Sequence, residues 1–225
     1  MGILKHSVLG DVFGKIGHIV IKQRGKITYL SSDSKDYTLP MDERSIFIRN
    51  RFGLNSNFAR VINSAPFIKQ IWKTKFPDCY TVYHKILSLN FPRFRSGILT
   101  GTPYLTPDGG FPLNSPSVEI SNNELIISSG PLSPASEINL DRELYIVPVS
   151  VFMIDTTNDN KPPITFLSRS GNKVLLDLDS SLRLSINLNS GVYVIQEGCK
   201  LLKSWSVLIT LDKNNNPVHY SELLS

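Results

Sequence analysis

The sequence predicts an α+β protein, predominantly β, with an N-terminal β-hairpin arm, a short helical block and a C-terminal antiparallel β-sandwich of the immunoglobulin or fibronectin kind. Three observations carry this. Apolar residues recur with a period of two up to about Leu30, with a helical period from Met41 to Phe91, and as short β-like runs after Ser117. A stretch rich in Gly, Pro, Ser and Thr separates the last two regimes. The expected boundaries are residues 1–40 for arm and linker, 41–95 for the helices, 96–117 for an irregular loop and 118–225 for the sandwich.

In the arm, His18–Lys22 and Lys26–Leu30 flank the turn Gln23-Arg24-Gly25 and read as a hairpin. Gly10, Gly14 and Gly17 permit positive φ or close backbone approach. A two-stranded ribbon has too little core to stand alone, so the arm is expected to lie on its own domain or on another molecule. Ser31–Pro40 is polar and ends in proline, as an extended linker does.

From Met41, Phe47, Arg51, Leu54, Phe58, Val61 and Ile62 fall near one helical stripe, interrupted by Gly53. A second helix is expected after Asn63 or Ser64, with Pro66 in its first turn and Pro77 beyond its end. A third, capped by Asp78, carries Val82, Ile86 and Leu89. Past the loop, the predicted strands are Val118–Ile120, Leu125–Ser128, Leu144–Ile154, Ile164–Leu167, Lys173–Leu176, Leu182–Leu188, Val192–Ile195, Trp205–Leu211 and Val218–Tyr220. Leu182, Leu184, Ile186 and Leu188 alternate with polar residues, as a strand with one solvated face does.

The chain has 225 residues, 41% hydrophobic and 19% charged, a composition that excludes disorder, collagen and coiled coil. Charge is unevenly placed. Residues 1–95 hold 16 Lys or Arg against 6 Asp or Glu, and residues 96–225 hold 8 against 13. A basic half can bind nucleic acid or another anionic surface, or it can meet the acidic half of a neighbouring copy. Only the second uses both halves.

No constellation for chemistry emerges. His6, His18, His84 and His219 accompany no nucleophile motif. Cys79 and Cys199 are too few for a disulfide framework or a cysteine zinc site, and whether they bridge each other is left open. Asp155, Asn158, Asp159 and Asn160 match no calcium loop, and Asp177 and Asp179 read as paired carboxylates on the solvated face of a strand. The glycines of the arm lead into a strand, whereas a phosphate loop needs a helix N-terminus. No cofactor, metal or enzymatic activity is expected. No apolar run of about 18 residues and no secretory signal is visible. Synthesis in the cytoplasm is therefore expected, with virion association or release to the outside compatible with it.

The series Gly10-x-x-x-Gly14-Lys15-Ile16-Gly17-x-x-Val20, Lys26-x-x-Tyr29, Pro40 and Glu43…Arg49-x-Arg51-Phe52 resembles a family of uncharacterised, mostly Bacteroidetes proteins of similar length. Those begin with a Gly-Lys-x-Gly arm and continue into an arginine- and phenylalanine-bearing helix. The resemblance continues through Leu125–Leu132, Leu144–Val149 and Asp212–Ser221. Asp11-Val12-Phe13 departs from a more glycine-rich arm, and Thr100–Pro116 reads as an insertion. The resemblance implies this architecture and no established activity, hence no catalytic residue.

The function expected is that of a non-enzymatic structural subunit of a self-assembling oligomer, filament, surface layer or phage-like particle. Its partner is itself or other structural subunits, without membrane insertion. The arm would make the contacts through Gly14, Lys15, Gly17, Ile19, Ile21, Arg24, Ile27 and Tyr29 by adding main-chain hydrogen bonds to a sheet edge of another copy. Arg44, Arg49 and Arg60 are candidates for an anionic contact. The alternatives are a monomeric module binding a glycan or protein through Tyr104, Phe111, Tyr193 and Trp205, and nucleic-acid binding by the basic half.

Overall fold

The structure is a computed structural model that describes residues 2–4, 14–24, 27–32, 41–95, 98–121, 123–132, 138–156, 164–188 and 199–225. The fold is mixed α+β and predominantly β. Contacts divide the chain into two units, Met1–Asp42 and Glu43–Ser225.

The first unit is a sheet of four antiparallel strands, β1 (Gly2–Leu4), β2 (Gly14–Ile16), β3 (Ile19–Arg24) and β4 (Ile27–Ser32), in the order β1-β4-β3-β2. The expected hairpin is its central pair, with the tip residues Gly25 and Lys26 outside the described residues. The flanking strands are additional to the expectation. A two-residue turn joins β2 to β3, and Gly17 enters it at φ +59°, a conformation that a residue with a Cβ resists. β4 continues two residues into the segment expected to be linker.

The second unit opens with α1 (Glu43–Ser64), α2 (Pro66–Lys75) and α3 (Val82–Asn90). The α1 stripe buries Leu54, Phe58, Ala59 and Ile62, and Gly53 is carried within the continuous helix. α2 starts on Pro66, whose missing N–H costs nothing in a first turn, and ends before Pro77. The cap of α3 is Thr81, whose hydroxyl accepts from the His84 N–H, and Asp78, expected in that role, lies outside the helix.

Five strands build the large sheet. β9 (Tyr145–Thr156), β10 (Ile164–Ser170), β13 (Cys199–Leu211) and β14 (Pro217–Tyr220) lie in the order β10-β9-β13-β14, with β11 (Val174–Leu175) paired to the start of β9. A smaller sheet has the order β12-β8-β7, from β7 (Ser117–Ser121), β8 (Glu124–Ser129) and β12 (Leu182–Asn187). Every pairing is antiparallel. The predicted strand Val192–Ile195 and the turn at residues 158–160 lie outside the described residues.

β9 and β13 are apolar on both sides because both sides are covered. Val147, Val149, Val151 and Met153 of β9, with Trp205, Val207, Ile209 and Leu211 of β13, share a core with Phe58, Ile62, Ile68, Trp72 and Ile86 of the helices. Ile146, Phe152 and Ile154, with Leu208, meet Leu125, Ile127, Leu182, Leu184 and Ile186 of the smaller sheet. The unit is thus layered as helices, large sheet and small sheet. Phe58, Phe94 and Phe166 lock the first two layers together, with ring centroids 5.2–6.2 Å apart.

Residues 96–117 link the helices to the sheets inside this one unit and contribute to its cores. β5 (Phe94–Arg95) and β6 (Ile98–Leu99) form a short ladder, and Leu105, Phe111 and Leu113 are buried. The Trp72 indole N–H donates to the Leu105 carbonyl at 2.7 Å, fixing the segment on α2.

Candidate interaction surfaces

In the N-terminal sheet, directly opposed residues share a face. Ile16, Ile19, Ile21 and Leu30, with Gln23, Thr28 and Ser32, make one face, and Lys15, Val20, Lys22, Ile27, Tyr29 and Ser31 make the other. The first carries no charge and the second carries lysines. Ile19 and Ile21 were expected to act alongside Ile27 and Tyr29, yet the register puts the two pairs on opposite faces. Arg24 pairs with Ile27 in the ladder, and Gly14 with Ile21. None of the described side chains of this unit is buried, and Ile16 is 61% exposed.

Among the described residues, β1 and β2 are the outer strands of this sheet. A two-residue turn makes Ile16 and Ile19 a hydrogen-bonded pair, so the main-chain N–H and C=O of Lys15 point away from β3.

In the second unit, other segments of the chain approach three of the four edge strands. α1 lies against β10, where Asn57 Nδ2 donates to Thr165 Oγ1 at 3.4 Å. The 108–113 segment lies along β14: the Phe111 N–H donates to the Tyr220 carbonyl at 2.9 Å and the Tyr220 hydroxyl to the Asp108 carbonyl at 3.1 Å. Burial, then the Asp108 charge, push the Tyr220 phenol above its ordinary value. Gly171 approaches β12 so closely that a Cβ there would stand 2.3 Å from the Ser185 carbonyl oxygen.

The fourth edge, β7, has no backbone partner on its outer side among the described residues. The turn at Asn123, φ +62°, makes Ser121 and Glu124 a bonded pair, so Val118 and Ile120 present their N–H and C=O groups outward. Their side chains lie on the inner face, opposite Ile127 and Leu125, yet Ile120 is 48% exposed. Glu119 stands between them on the outer face. Sequence reasoning identified this strand without marking it as an edge; the signal available was a single charge between two β-branched residues.

The arginines of α1 do not form one patch. Arg49 and Arg60 lie three turns apart along one side, and Arg44 projects from nearly the opposite side. Arg51 serves the fold: its guanidinium donates twice to the Phe91 carbonyl, at 2.8 and 3.1 Å, and lies 3.9 Å from the Phe91 ring centroid. Ahead of the buried half of α1, its apolar stripe continues through Phe47, Ile48 and Phe52, which are exposed.

The aromatic candidates for a binding platform are dispersed. Trp205 and Phe111 are buried and Tyr193 lies outside the described residues. Tyr104 is half-buried and held by Arg93, which donates to its hydroxyl at 2.7 Å, at the side of a cleft of about 430 Å³ that Asp108 and Glu222 also line. Asp177 and Asp179 occupy a bend, where Asp177 accepts from the Asp179 N–H at 3.0 Å, and not the strand face expected of them. That bond and the Ser180 hydroxyl hold the Asp177 carboxyl below its ordinary value. Among the described residues no three His, Cys, Asp or Glu side chains converge as metal ligands, and Cys79 is a free thiol. No helix among them is long and apolar enough to cross a membrane.

Comparison with protein-family models, curated proteins and solved structures finds no match to the chain.

Proposed function

We infer that the protein is a non-enzymatic subunit of a self-assembling oligomer or particle, with the N-terminal sheet as its contact device. The observation that carries this reading is the burial pattern of residues 1–42, a separate unit whose described side chains are all at least partly exposed and whose one face is uncharged and carries Ile16, Ile19, Ile21 and Leu30. A sheet of that size without a core gains too little from burial to offset the ordering of its backbone. A surface supplied by another copy would complete it.

The finer fold reading is an immunoglobulin- or fibronectin-like sandwich. It is supported by strand order: taken from β7 onward, the first, second and fifth long strands form one sheet and the third, fourth, sixth and seventh the other. Membership of the uncharacterised Bacteroidetes family is supported by the arm and helix motifs and by the segments Leu125–Leu132, Leu144–Val149 and Asp212–Ser221. A second reading, nucleic-acid binding, is favoured by one observation: α1 to α3 carry eight Lys or Arg and a single acid, Glu43. Steep loss of DNA or RNA binding with salt would mark it.

The test is the absolute mass of the full chain by light scattering at low and high salt, compared with a chain lacking residues 1–38. A multimer that falls to monomer on deletion is the expected result. A wild-type monomer of 25 kDa in both salts overturns the reading.

A further inference from the structure

We propose that the cleft of about 430 Å³ beside Tyr104 binds a free basic amino acid, with its carboxylate on Arg93 and its two cationic groups on Asp108 and Glu222. The cleft lies wholly within the second unit and does not depend on assembly. Its volume is in the range that encloses one small molecule.

Arg93 is held in place by neutral groups. Its guanidinium lies 4.5 Å from the Tyr104 ring centroid and donates to the Tyr104 hydroxyl at 2.7 Å. Tyr104 is fixed in turn by the wholly buried Asn90, which accepts from the Tyr104 N–H at 2.8 Å and donates to the Tyr104 carbonyl at 3.1 Å. Gly101 packs against the arginine stem, since a Cβ there would lie 3.4 Å from Arg93 Cδ. The bond to Tyr104 uses one guanidinium N–H of five, and the phenol, having accepted, keeps its own proton to donate. An anchored guanidinium and a phenol side by side are a ready acceptor for a carboxylate.

Asp108 and Glu222 are carried on two segments that are bonded together. The Phe111 N–H donates to the Tyr220 carbonyl at 2.9 Å and the Glu222 N–H to the Phe111 carbonyl at 2.8 Å. The approach is close: a Cβ on Gly110 would stand 2.3 Å from the Ser221 carbonyl oxygen. Glu222 accepts from the Leu113 N–H through Oε1 at 3.2 Å, while the Asp108 carboxylate takes no hydrogen bond among the described residues. No ion pair joins Arg93, Asp108 and Glu222 to one another or to any other described residue.

The charges select the ligand. A simple anion on Arg93 would face two carboxylates, and a metal ion on the carboxylates would face the guanidinium. A molecule carrying both signs satisfies both walls. One guanidinium against two carboxylates calls for one anionic and two cationic groups, the charge pattern of lysine, ornithine or arginine as free amino acids.

The experiment is titration calorimetry of the full chain with L-lysine and with three analogues that each lack one charge: lysinamide, norleucine and Nα-acetyl-lysine. Lysine should bind saturably, and each analogue at least about fivefold more weakly. Asp108→Asn and Glu222→Gln should each weaken lysine binding by a similar factor. One of these two variants should bind norleucine as the wild type does, which identifies the carboxylate that meets the side-chain cation. The analogues alter no residue, so the comparison among them is independent of folding. Absence of saturable lysine binding at about 10 mM overturns the proposal, as does norleucine or lysinamide binding as tightly as lysine. Equal binding of Nα-acetyl-lysine also overturns it, by assigning the cleft to the basic C-terminal residue of a peptide.

Discussion

His219 Nδ1 stands 3.0 Å from Oε1 of Glu143, and the glutamate side chain is wholly buried while the imidazole is 40% exposed. The same oxygen accepts from the Asn139 N–H at 2.8 Å, so one carboxylate ties the loop before β9 to β14. Glu143→Ala leaves both donors unsatisfied and should cost about 2–4 kcal/mol. Glu143→Gln retains an acceptor and should cost less than half of that. His219→Ala should cost about 1 kcal/mol, because its ring is partly solvated. Urea midpoints of the three variants, at unchanged m-value, give the ranking; an alanine variant as stable as wild type would remove the tie.

Asp212 organises the β13–β14 turn by accepting from the N–H groups of Asn214 and Asn216, at 2.7 and 2.8 Å, and from the Asn216 side-chain amide at 3.0 Å. These bonds, that of the Asn216 side chain foremost, hold its carboxyl below the ordinary aspartate range. A carboxylate depressed in the folded state stabilises it at pH above the unfolded value of about 3.9, and that contribution disappears as pH falls through the folded value. Asp212→Ala should therefore be less stable than wild type at pH 6, with the gap closing on acidification below about pH 4. A gap independent of pH would contradict this.

Two glycines give opposite expectations for one substitution. At Gly53, within α1, an added Cβ meets nothing within 4 Å, so Gly53→Ala should stabilise by about 0.5–1 kcal/mol. At Gly171 the Cβ would lie 2.3 Å from the Ser185 carbonyl oxygen and 2.8 Å from the Pro148 ring, so Gly171→Ala must push β12 outward. Thermal scans of the pair should move in opposite directions.

The helices and the large sheet share one core, so they should unfold together. Helical ellipticity and the fluorescence of Trp72 and Trp205, both buried there, should give coincident transitions. Phe58→Ala, emptying the middle of the Phe94–Phe166 contact, should lower the common midpoint by about 3–5 kcal/mol of stability. Separate transitions would indicate independent domains.

Much of the second unit was legible because its strands are extreme cases. Leu144–Ile154 reads as apolar throughout since it is covered on both sides, and Leu182–Leu188 alternates since it is covered on one. What escaped depends on partners distant in sequence. β1 is three residues long and exists through its pairing with β4. Leu105 and Phe111 sit in a Gly- and Pro-rich stretch and become core when Trp72 and β14 receive them. Trp205 could be platform or core until β13 was seen between two layers. At the candidate surface, residue types were readable and sidedness was not, because the faces of Ile19 and Tyr29 follow from pairing register.

The N-terminal sheet is one backbone thick, uncharged on one side and lysine-bearing on the other, and strand side chains alternate with a strict period of two. One extra residue in the turn at Gly17 would shift β2 by a single step against β3 and exchange its two sides. Ile16 would then lie with the lysines and Lys15 with the isoleucines. Which side chains of β2 share a face with the isoleucines is thus set by the length of a two-residue bend, and an insertion there would exchange the two sides without altering the chemistry of any side chain.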